Sequence, residues 1–323
     1  MLKFEHIRRK LKEILESQST LQNLLLSEKR KRNLNTEDLV FVSTSIIASY
    51  WWCPVKAYIL SKLNELEHFK LYLYDIAMYS YELGYIRSIP ENVERILNIG
   101  NNLTLEDMEK ILERRIKLSK EKTVLWFENG CNITIIEDKL AIIQYGNLKL
   151  GYINPLLAPS IKKSLENKIK ELNAVAVDFN TFPSKVRGKI LEVMIKEKYP
   201  TIRWYFKWRK YVVTVEPDGL TKDFVYEFKT TRNVETLGGI LKIAETQADI
   251  YGFFFRRSRK RVQVYILEAE KLITMDSKVD ENNAKETLKR FLEVERTKKP
   301  KSKELWKCRV CEVKHICSSI TAE

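Results

Sequence analysis

The sequence predicts a mixed α/β fold, and three features of its hydrophobic pattern lead to that prediction. Residues 1 to about 120 carry apolar side chains at helical spacing. Between about 123 and 153 the apolar side chains fall into short runs separated by Asn, Gly and Asp, as in strands joined by turns. From there to about residue 275 strand and helix patterns alternate. Alternation of this kind favours a sheet packed against helices.

The first half divides into a helical part and a strand-rich part. "IRRKLKEILESQSTLQNLLL" has apolar residues every three or four positions. Ser43 or Thr44 is a suitable cap for a helix through "SIIASYWWCPVKAYILSKL", and helical spacing returns over about 65–86 and 104–119. Four strand patterns follow, in "TVLWFE", "CNITIIED", "LAIIQYG" and "LKLGYI". We therefore expect a helical region over residues 1–120 and a small β insertion over residues 121–170.

The second half alternates between helical spacing and strand patterns of its apolar residues. A helix is predicted in "SIKKSLENKIKEL", a strand in "NAVAVDF" and a helix in "SKVRGKILEVMIKEKY". Two strands follow, in "KYVVTVEPDG" and "KDFVYEFKTT", and then a helix over 238–255, a strand over 261–268 and a helix over about 280–296. We assign residues 171–275 to an α/β core and residues 276–323 to a C-terminal helix with a cysteine-rich segment.

Charge limits the classes of partner. The 323 residues include 57 Lys and Arg against 43 Asp and Glu, a formal net charge of +14. Such a surplus favours a polyanionic partner, with nucleic acid first and an anionic membrane surface second. The densest basic cluster, "RRSRKR", lies between an apolar helix end and an apolar strand, as expected of a rim that contacts phosphates. Its candidate DNA-binding residues are Arg256, Arg257, Arg259, Lys260 and Arg261.

The sequence also indicates a cytoplasmic protein. It has no run of about 18 apolar residues, so we expect no membrane span. The N-terminal "MLKFEHIRRKLKEIL" is charged and lacks the apolar stretch of a signal peptide. The chain has five cysteines. In an intracellular protein these favour metal binding or chemistry over a disulfide framework.

The stretch "PDGLTKDFVYEFKTT" holds the strongest chemical pattern of the core. Because strand side chains alternate between faces, Glu227 and Lys229 share one face, and the three aromatic residues of "FVYEF" share the other, a suitable core face. If "YVVTV" pairs with this strand as a hairpin, Asp218 reaches the same end of the sheet. Two carboxylates there could hold Mg²⁺ or Mn²⁺, and the lysine could orient water. The alternative is an exposed Glu–Lys pair on an edge strand, which is common.

The C-terminal segment "WKCRVCEVKHIC" carries Cys308, Cys311 and Cys317 in the spacing C-x2-C-x5-C. Three thiols so close together are typical of a metal or cluster site, and such sites usually have four ligands. Cys53, which precedes a proline in the helical region, could complete a 4Fe–4S cluster. Zinc is equally compatible with the spacing, with Cys53 or His315 as the fourth ligand.

These motifs together resemble a known nuclease family. The pattern Asp-x8-Glu-x-Lys resembles the motif of restriction-endonuclease-like nucleases of the RecB type. In "ETQADIYGFFF", Gln247 and Tyr251 lie on one helical face, which is similar to the RecB signature. An early Cys-Pro and a late C-x2-C-x5-C resemble the layout of the CRISPR-associated iron–sulfur nucleases of that superfamily. The chain looks most like their long archaeal branch, and this resemblance favours iron–sulfur over zinc.

The resemblance implies a role for each set of residues. Residues 171–275 would form the restriction-endonuclease-like core, and the C-terminal segment would form an iron–sulfur lid. The residues implied to hold the divalent cation, orient water or position the strand are Asp218, Glu227, the backbone carbonyl of Phe228, Lys229, Gln247 and Tyr251. The implied cluster ligands are Cys53, Cys308, Cys311 and Cys317.

One family residue is missing from its usual place. The family carries a histidine, in a G-x2-H-E-like sequence, on a helix before the aspartate. The matching stretch, "RGKILEVMI", has Gly188 and Glu192, but Leu191 stands at the histidine's position. His68, which follows Cys53 in the chain, and Glu192 are the candidates for the missing metal ligand.

The function that the resemblance implies is a Mg²⁺- or Mn²⁺-dependent DNA exonuclease or endonuclease containing a 4Fe–4S cluster. Its expected substrate is DNA, with single-stranded ends or overhangs favoured, trimmed before integration as CRISPR spacers. Its expected partner is the spacer-integration complex. A second interpretation is a catalytically degenerate DNA-binding or scaffolding protein of the same fold, since the histidine is absent. A third is a zinc-containing module unrelated to nucleases.

Overall fold

The protein has a mixed α/β architecture, which confirms the predicted class. A computed structural model describes residues 18–88, 93–100, 102–116, 124–127, 131–176, 184–297, 305–309 and 311–320, together with residues 9, 12, 13 and 15. Three small sheets pack with helices in this part of the chain. None of its helices combines the length and apolar character that crossing a bilayer requires.

Helices dominate the N-terminal part. Their bounds are α1 Gln18–Lys31, α2 Thr44–Ala48, α3 Pro54–Glu82, α4 Val93–Gly100 and α5 Leu105–Ile116, with β1 at Phe41–Ser43. The single helix predicted from residue 45 to 63 is wrong, because the chain breaks it between α2 and α3. Cys53 is extended, with φ −160° and ψ 117°, and Pro54 occupies the first turn of α3. A proline restricts the residue before it to extended conformations, so the helix can only restart at the proline itself.

The strand-rich segment forms a five-stranded sheet in the order β2-β3-β4-β5-β6. Its elements are β2 Val124–Phe127, β3 Cys131–Ile136, β4 Leu140–Tyr145, β5 Leu148–Ile153, α6 Pro159–Glu171 and β6 Val175–Ala176. The first four strands are antiparallel neighbours, whereas β6 pairs parallel to β5. The strand predicted in "NAVAVDF" therefore contributes to the sheet of the β insertion.

The remaining strands form two sheets, in the orders β1-β8-β7 and β12-β11-β10-β9. The elements are α7 Ser184–Ile195, β7 Trp204–Trp208, β8 Tyr211–Val215, β9 Gly219–Leu220, β10 Phe224–Thr231, α8 Leu237–Phe255, β11 Arg259–Ile266, β12 Lys271–Lys278, α9 Glu281–Thr297, α10 Leu305–Arg309 and α11 Lys314–Ile320. Strands β10 and β11 are parallel and joined through α8. Parallel neighbours need such a crossover connection.

Both faces of β10 are covered. Tyr226 and Phe228 pack in one apolar cluster with Leu191 of α7, which confirms the predicted core face. On the opposite face, Val225 belongs to a second cluster with Ala248 of α8. Because α8 covers this second face, the polar residues of β10 that share it are held in a largely dry environment.

The predicted hairpin between "YVVTV" and the Glu-x-Lys strand is wrong. β8 pairs with β1 and β7, in the other sheet. The antiparallel partner of β10 is the two-residue β9, with Leu220 opposite Val225 and Gly219 opposite Tyr226. Asp218 thus approaches β10 through a short turn in its own sheet rather than through a long hairpin.

Candidate active site and cysteine cluster

Asp218 is fixed at the edge of β10, immediately before β9 begins. The backbone N–H of Phe228 donates a hydrogen bond to Asp218 Oδ2 at 2.8 Å. This carboxylate therefore accepts the hydrogen bond that a backbone carbonyl of a neighbouring strand would otherwise accept from β10. The turn depends on Gly219, since a Cβ built there would lie 2.6 Å from Cβ of Tyr199. Glycine is the residue that permits this close approach.

Glu227 and Lys229 project from the same face of β10, as strand alternation predicts. The Lys229 ammonium donates a hydrogen bond to Glu227 Oε1. Glu227 is only 1% exposed. Burial raises the pKa of Glu227 to about 8, with Lys229 lowering it and Asp218 raising it. Although burial opposes it, the carboxylates of Glu227 and Asp218 raise the pKa of Lys229.

A second lysine joins this group from the end of α7. Lys196 Nζ lies 3.0 Å from Asp218 Oδ1 and 3.1 Å from Glu192 Oε1. Although burial opposes it, Asp218 and Glu192 raise the pKa of Lys196. The three carboxylates and two lysines form what we call the carboxylate cluster: Glu192, Lys196, Asp218, Glu227 and Lys229.

The sequence analysis does not predict that Lys196 belongs to this site. The four-residue spacing of Glu192 and Lys196 on a helix is a signal for their pairing. Its contact with Asp218 links α7 to the turn before β9, and no local pattern indicates it. Leu191, at the place of the family histidine, is 1% exposed and packs in the apolar cluster beneath β10.

Gln247 and Tyr251 lie on the buried side of α8, which packs on β10. Gln247 Nε2 donates a hydrogen bond to the Tyr251 hydroxyl at 3.2 Å. Burial and the nearby charges of Glu227 and Asp218 raise the pKa of Tyr251 well above its usual range. The structure thus brings both helix residues close to the carboxylate cluster.

Among the described residues, His68 is not hydrogen-bonded to any member of the carboxylate cluster. It projects from α3 into a cavity that Thr214, Glu216 and Tyr251 also line. Neither of its ring nitrogens has a hydrogen-bond partner among the described residues. Burial, assisted by the charge of Arg203, lowers the pKa of His68 to about 4, so the ring is neutral at physiological pH.

The basic cluster is only partly available to a ligand. Lys260 is 6% exposed and its ammonium lies 2.6 Å from Asp249 Oδ1, so its predicted contact with DNA is wrong. Strand alternation turns it inward, onto α8. Arg261 pairs with the carboxylates of Asp276 and Glu197.

The other members of this cluster differ in exposure. Arg257 is tied to backbone carbonyls of Thr221 and Phe255 and to the carboxylate of Glu109. Arg256 and Arg259 are exposed. These two arginines are the members best placed to meet phosphates.

The cysteines of the two chain regions come together. Cys53, Cys311 and Cys317 pack around an apolar group formed by Val55, Ile59 and Val313. Cys308 lies in α10, and its carbonyl accepts a hydrogen bond from the Cys311 N–H at 3.4 Å. All four thiols are half-buried and free of disulfides, whereas His315 is exposed.

Four half-buried thiols are a donor set suited to an iron–sulfur cluster or to zinc. In the described part of the chain, no three His, Cys, Asp or Glu side chains are arranged as a finished metal site.

Comparisons with known proteins give little. No family model matches the chain, and no curated protein matches it. One similar solved structure, described as the crystal structure of SSO0001, is 17% identical over 65% of this chain and 95% of that chain, with a TM-score of 0.34. A similarity this low carries no argument about the chain's fold or function.

Proposed function

We propose that the protein is a Mg²⁺- or Mn²⁺-dependent DNA nuclease with a restriction-endonuclease-like core of the RecB type. The observation that carries this proposal is the meeting of Asp218, Glu227 and Lys229 at the edge of β10. The residues come from a turn and a strand, and Gln247 and Tyr251 stand beside them on α8.

Oxygen donors of this kind suit a hard divalent cation. Asp218 and Glu227, with the Phe228 carbonyl, would hold it, and Glu192, which shares the Lys196 ammonium with Asp218, is a further candidate. Bound there, the cation would polarise the scissile phosphate and help to form hydroxide. Lys229 would orient the attacking water and stabilise developing charge. Since Lys196 hydrogen-bonds Asp218 and Glu192, its ammonium must withdraw when a cation enters.

We also propose that Cys53, Cys308, Cys311 and Cys317 hold a 4Fe–4S cluster. The proposal is supported by the packing of Cys53 with two of the C-terminal cysteines. Such a cluster would fasten the start of α3 to the C-terminal segment, so that ligation and folding are coupled. Its role would be structural.

The cellular role that we propose is trimming of DNA ends before their integration as CRISPR spacers, in association with the spacer-integration complex. This part rests on the resemblance of the motifs to the CRISPR-associated iron–sulfur nucleases. A formal net charge of +14 supports DNA as the partner. Exposed Arg256 and Arg259 would contribute phosphate contacts.

A second function is favoured by two specific observations. Leu191 replaces the expected histidine in an apolar cluster, and Lys196 places an ammonium between Asp218 and Glu192. An ammonium there neutralises the carboxylates as a bound cation would. The alternative is therefore a DNA-binding or scaffolding protein of the same fold without turnover.

End-labelled single- and double-stranded DNA, incubated with anaerobically purified protein and Mn²⁺ or Mg²⁺, tests the proposal. We expect wild type to cut and Asp218→Ala and Lys229→Ala to lose cleavage while staying folded. Asp223→Ala is the matched control, because this exposed carboxylate lies on the same β9–β10 turn. A folded, DNA-binding wild type that never cuts would favour the scaffolding function.

A further inference from the structure

A row of exposed cations follows one face of α9. Its members are Lys285, Lys289 and Arg296, whose spacings of four and seven residues place them on the same side of the helix. At a rise of about 1.5 Å per residue, Lys285 and Arg296 are about 16 Å apart along the helix axis. The row is therefore long enough to meet several units of an extended ligand.

The C-terminal end of α8 adjoins the first of these cations. The Lys285 ammonium lies 5.3 Å from the centre of the half-buried Phe253 ring. Phe253 packs on Phe254 with ring centres 5.1 Å apart, and Phe254 stacks on Phe206 of β7 at 5.0 Å. Exposed Arg256 follows directly after the helix. A row of rings therefore connects α9 and the end of α8 to β7.

The β7–β8 hairpin adjoins the last of these cations. The guanidinium of exposed Arg209 lies 5.0 Å from the centre of the Trp208 ring. Lys210, the next residue, lies 2.8 Å from Oε1 of Glu295, which precedes Arg296. This ion pair brings Arg209 and Arg296 to the same end of the row. We call the five exposed cations, with the rings between them, the α9 surface: Arg209, Arg256, Lys285, Lys289 and Arg296.

The α9 surface carries a surplus of positive charge. In the described part of the chain, all five cations except Lys285 lack an ion pair. Lys285 lies 2.8 Å from Glu281, and both side chains are exposed. An exposed pair contributes at most about 1 kcal/mol, so Lys285 can exchange Glu281 for another anion. At the other end, the carboxylates of Asp38 and Glu295 are both bound by Lys210. A polyanion is the ligand that this charge distribution favours.

We propose that the α9 surface binds a single strand of nucleic acid, in addition to the contacts at the carboxylate cluster. Cations that follow the backbone, with rings for the bases between them, are typical of single-strand binding. The half-buried rings here are Phe206, Trp208 and Phe253. Bases stack on such rings and on arginine planes. A duplex hides the faces of its bases and would use only the cations, so the rings favour a single strand. About 16 Å corresponds to roughly five nucleotides at the spacing of about 3.4 Å found in a duplex strand.

The α9 surface also adjoins the turn between β9 and β10. Arg257, the neighbour of Arg256, donates a hydrogen bond to the carbonyl of Thr221 in that turn, at 2.7 Å. Asp218 lies three residues before Thr221. A strand on the α9 surface would therefore run past Arg256 towards the turn that follows Asp218. The inference rests on the proposed function for DNA as the source of the strand, and it does not depend on cleavage.

The first test measures binding in EDTA, where no divalent cation supports cutting. A fluorescent oligothymidylate of about 12 nucleotides is titrated with the full-length, anaerobically purified protein, and anisotropy gives the affinity. We expect Arg209→Gln with Arg296→Gln to bind at least about tenfold more weakly than wild type. The slope of log K against log salt should fall by about 1.4, since each phosphate contact contributes about 0.7 in a single strand.

The matched control for this double variant is Lys163→Gln with Lys170→Gln. These two exposed lysines lie on α6, so the control loses the same charge from another helix. We expect it to bind the oligonucleotide like wild type. Equal weakening by the two double variants would mean that net charge alone matters, and it would overturn the α9 surface.

The second test asks whether the rings contact bases. An abasic strand of the same length keeps the phosphates, and a duplex of that length hides the base faces. We expect wild type to bind both about tenfold more weakly than the single strand, and Phe253→Leu to reduce the difference. If Phe253→Leu does not fold, the comparison of ligands with wild type decides alone. Equal affinity for all three ligands overturns the single-strand assignment. Binding of phosphatidylserine vesicles, but not of oligonucleotides, would assign the surface to a membrane and overturn it as well.

Cleavage separates this inference from the proposed function. In EDTA, Asp218→Ala should bind the oligonucleotide like wild type, because Asp218 is not part of the α9 surface. Binding that depends on Arg209 and Arg296, in a wild type that never cuts, supports the surface and overturns the nuclease. Cutting by wild type, with binding unchanged in Arg209→Gln with Arg296→Gln, overturns the surface and leaves the nuclease.

Discussion

At the scale of single residues, Lys196 neutralises part of the negative charge of the carboxylate cluster in the absence of a cation. Its ammonium lies within 3.1 Å of oxygens of both Asp218 and Glu192. A divalent cation bound as proposed would therefore compete with the lysine for the same oxygens. Competition of this kind would lower the affinity of the proposed site for the cation without removing any of its proposed ligands.

Replacing Lys196 by glutamine should raise the affinity for Mn²⁺ about tenfold, because the competing charge is lost. Titration calorimetry with wild type and variant measures the difference. Lys189→Gln is the matched control, since Lys189 bonds Glu192 at 2.9 Å but does not contact Asp218. If the affinity of Lys196→Gln for Mn²⁺ is unchanged or weaker, Lys196 does not compete with the cation.

Glu227 makes the stability of the cation-free protein depend on pH. Its pKa is raised from 4.5 to about 8, chiefly by burial, so the folded state binds the proton more tightly than the unfolded state. The contribution of protonated Glu227 to the free energy of unfolding is fully present below pH 4.5, and it is lost as the pH rises through about 8.

We therefore expect the free energy of unfolding to fall between about pH 6.5 and pH 8.5, above the range in which His68 titrates. Glu227→Gln should flatten this fall, because the amide does not ionise. Urea denaturation in a chelator at several pH values gives the comparison. Parallel profiles for the two proteins would exclude Glu227 as the cause.

At the scale of elements, the spacing of apolar residues along the sequence predicts most helices and strands. It does not predict which strands pair in a sheet. The helix over Leu237–Phe255 and the strand of "KDFVYEFKTT" lie where periodicity places them. The pairing of β10 with β9 was missed, because a strand of two residues leaves no periodic signal. The motif residues of β10 were identifiable from the sequence, whereas the Lys196 contact depends on how α7 packs.

The turn before β9 holds Asp218 against β10. In Gly219→Ala the new methyl group would lie 2.6 Å from Cβ of Tyr199, so the turn must shift. We expect a loss of about 1–3 kcal/mol in stability, typical of overpacking, and a loss of cation binding as Asp218 moves. Denaturant unfolding and Mn²⁺ titration measure the two effects.

Gly238→Ala provides the control for that substitution. It lies in the first turn of α8, and nothing is found within 4 Å of its added Cβ. We expect unchanged cation binding and stability within about 1 kcal/mol of wild type, on the stabilising side. If both glycine variants behaved alike, the close approach at Gly219 would not be what positions Asp218.

At the scale of the whole molecule, buried carboxylates join regions that are far apart in sequence. Glu295 of α9 accepts hydrogen bonds from the Leu39 N–H and from Lys210, both at 2.8 Å. Glu65 of α3 accepts from Lys29 at 2.7 Å and from the Val40 N–H. These bonds fix β1 between the N-terminal helices and α9. They place the start of α3 where the C-terminal segment can reach it.

Two polar contacts join the described part of the C-terminal segment to the region around the start of α3. Lys56 pairs with Glu312 at 3.0 Å, and Lys307 lies 5.2 Å from the centre of the Trp52 ring. An exposed ion pair and one cation–π contact each contribute at most about 1 kcal/mol. The small apolar group around Val313, with the cysteines that pack on it, adds to this attachment, and a bound cluster would strengthen it further.

Cys53→Ser tests that attachment, because it removes the one proposed ligand that comes from outside the segment. We expect iron content to fall from about four atoms per chain to near zero, and the segment after residue 297 to become sensitive to limited proteolysis. Cys131→Ser, on β3 and outside the proposed ligand set, should keep wild-type iron and resistance. If the anaerobically purified wild type contains zinc rather than iron and sulfide, the cysteines hold a zinc site and the proposed cluster is wrong. Full iron content in Cys53→Ser would mean that Cys53 is not a ligand, and that the two ends of the chain are held together by packing alone.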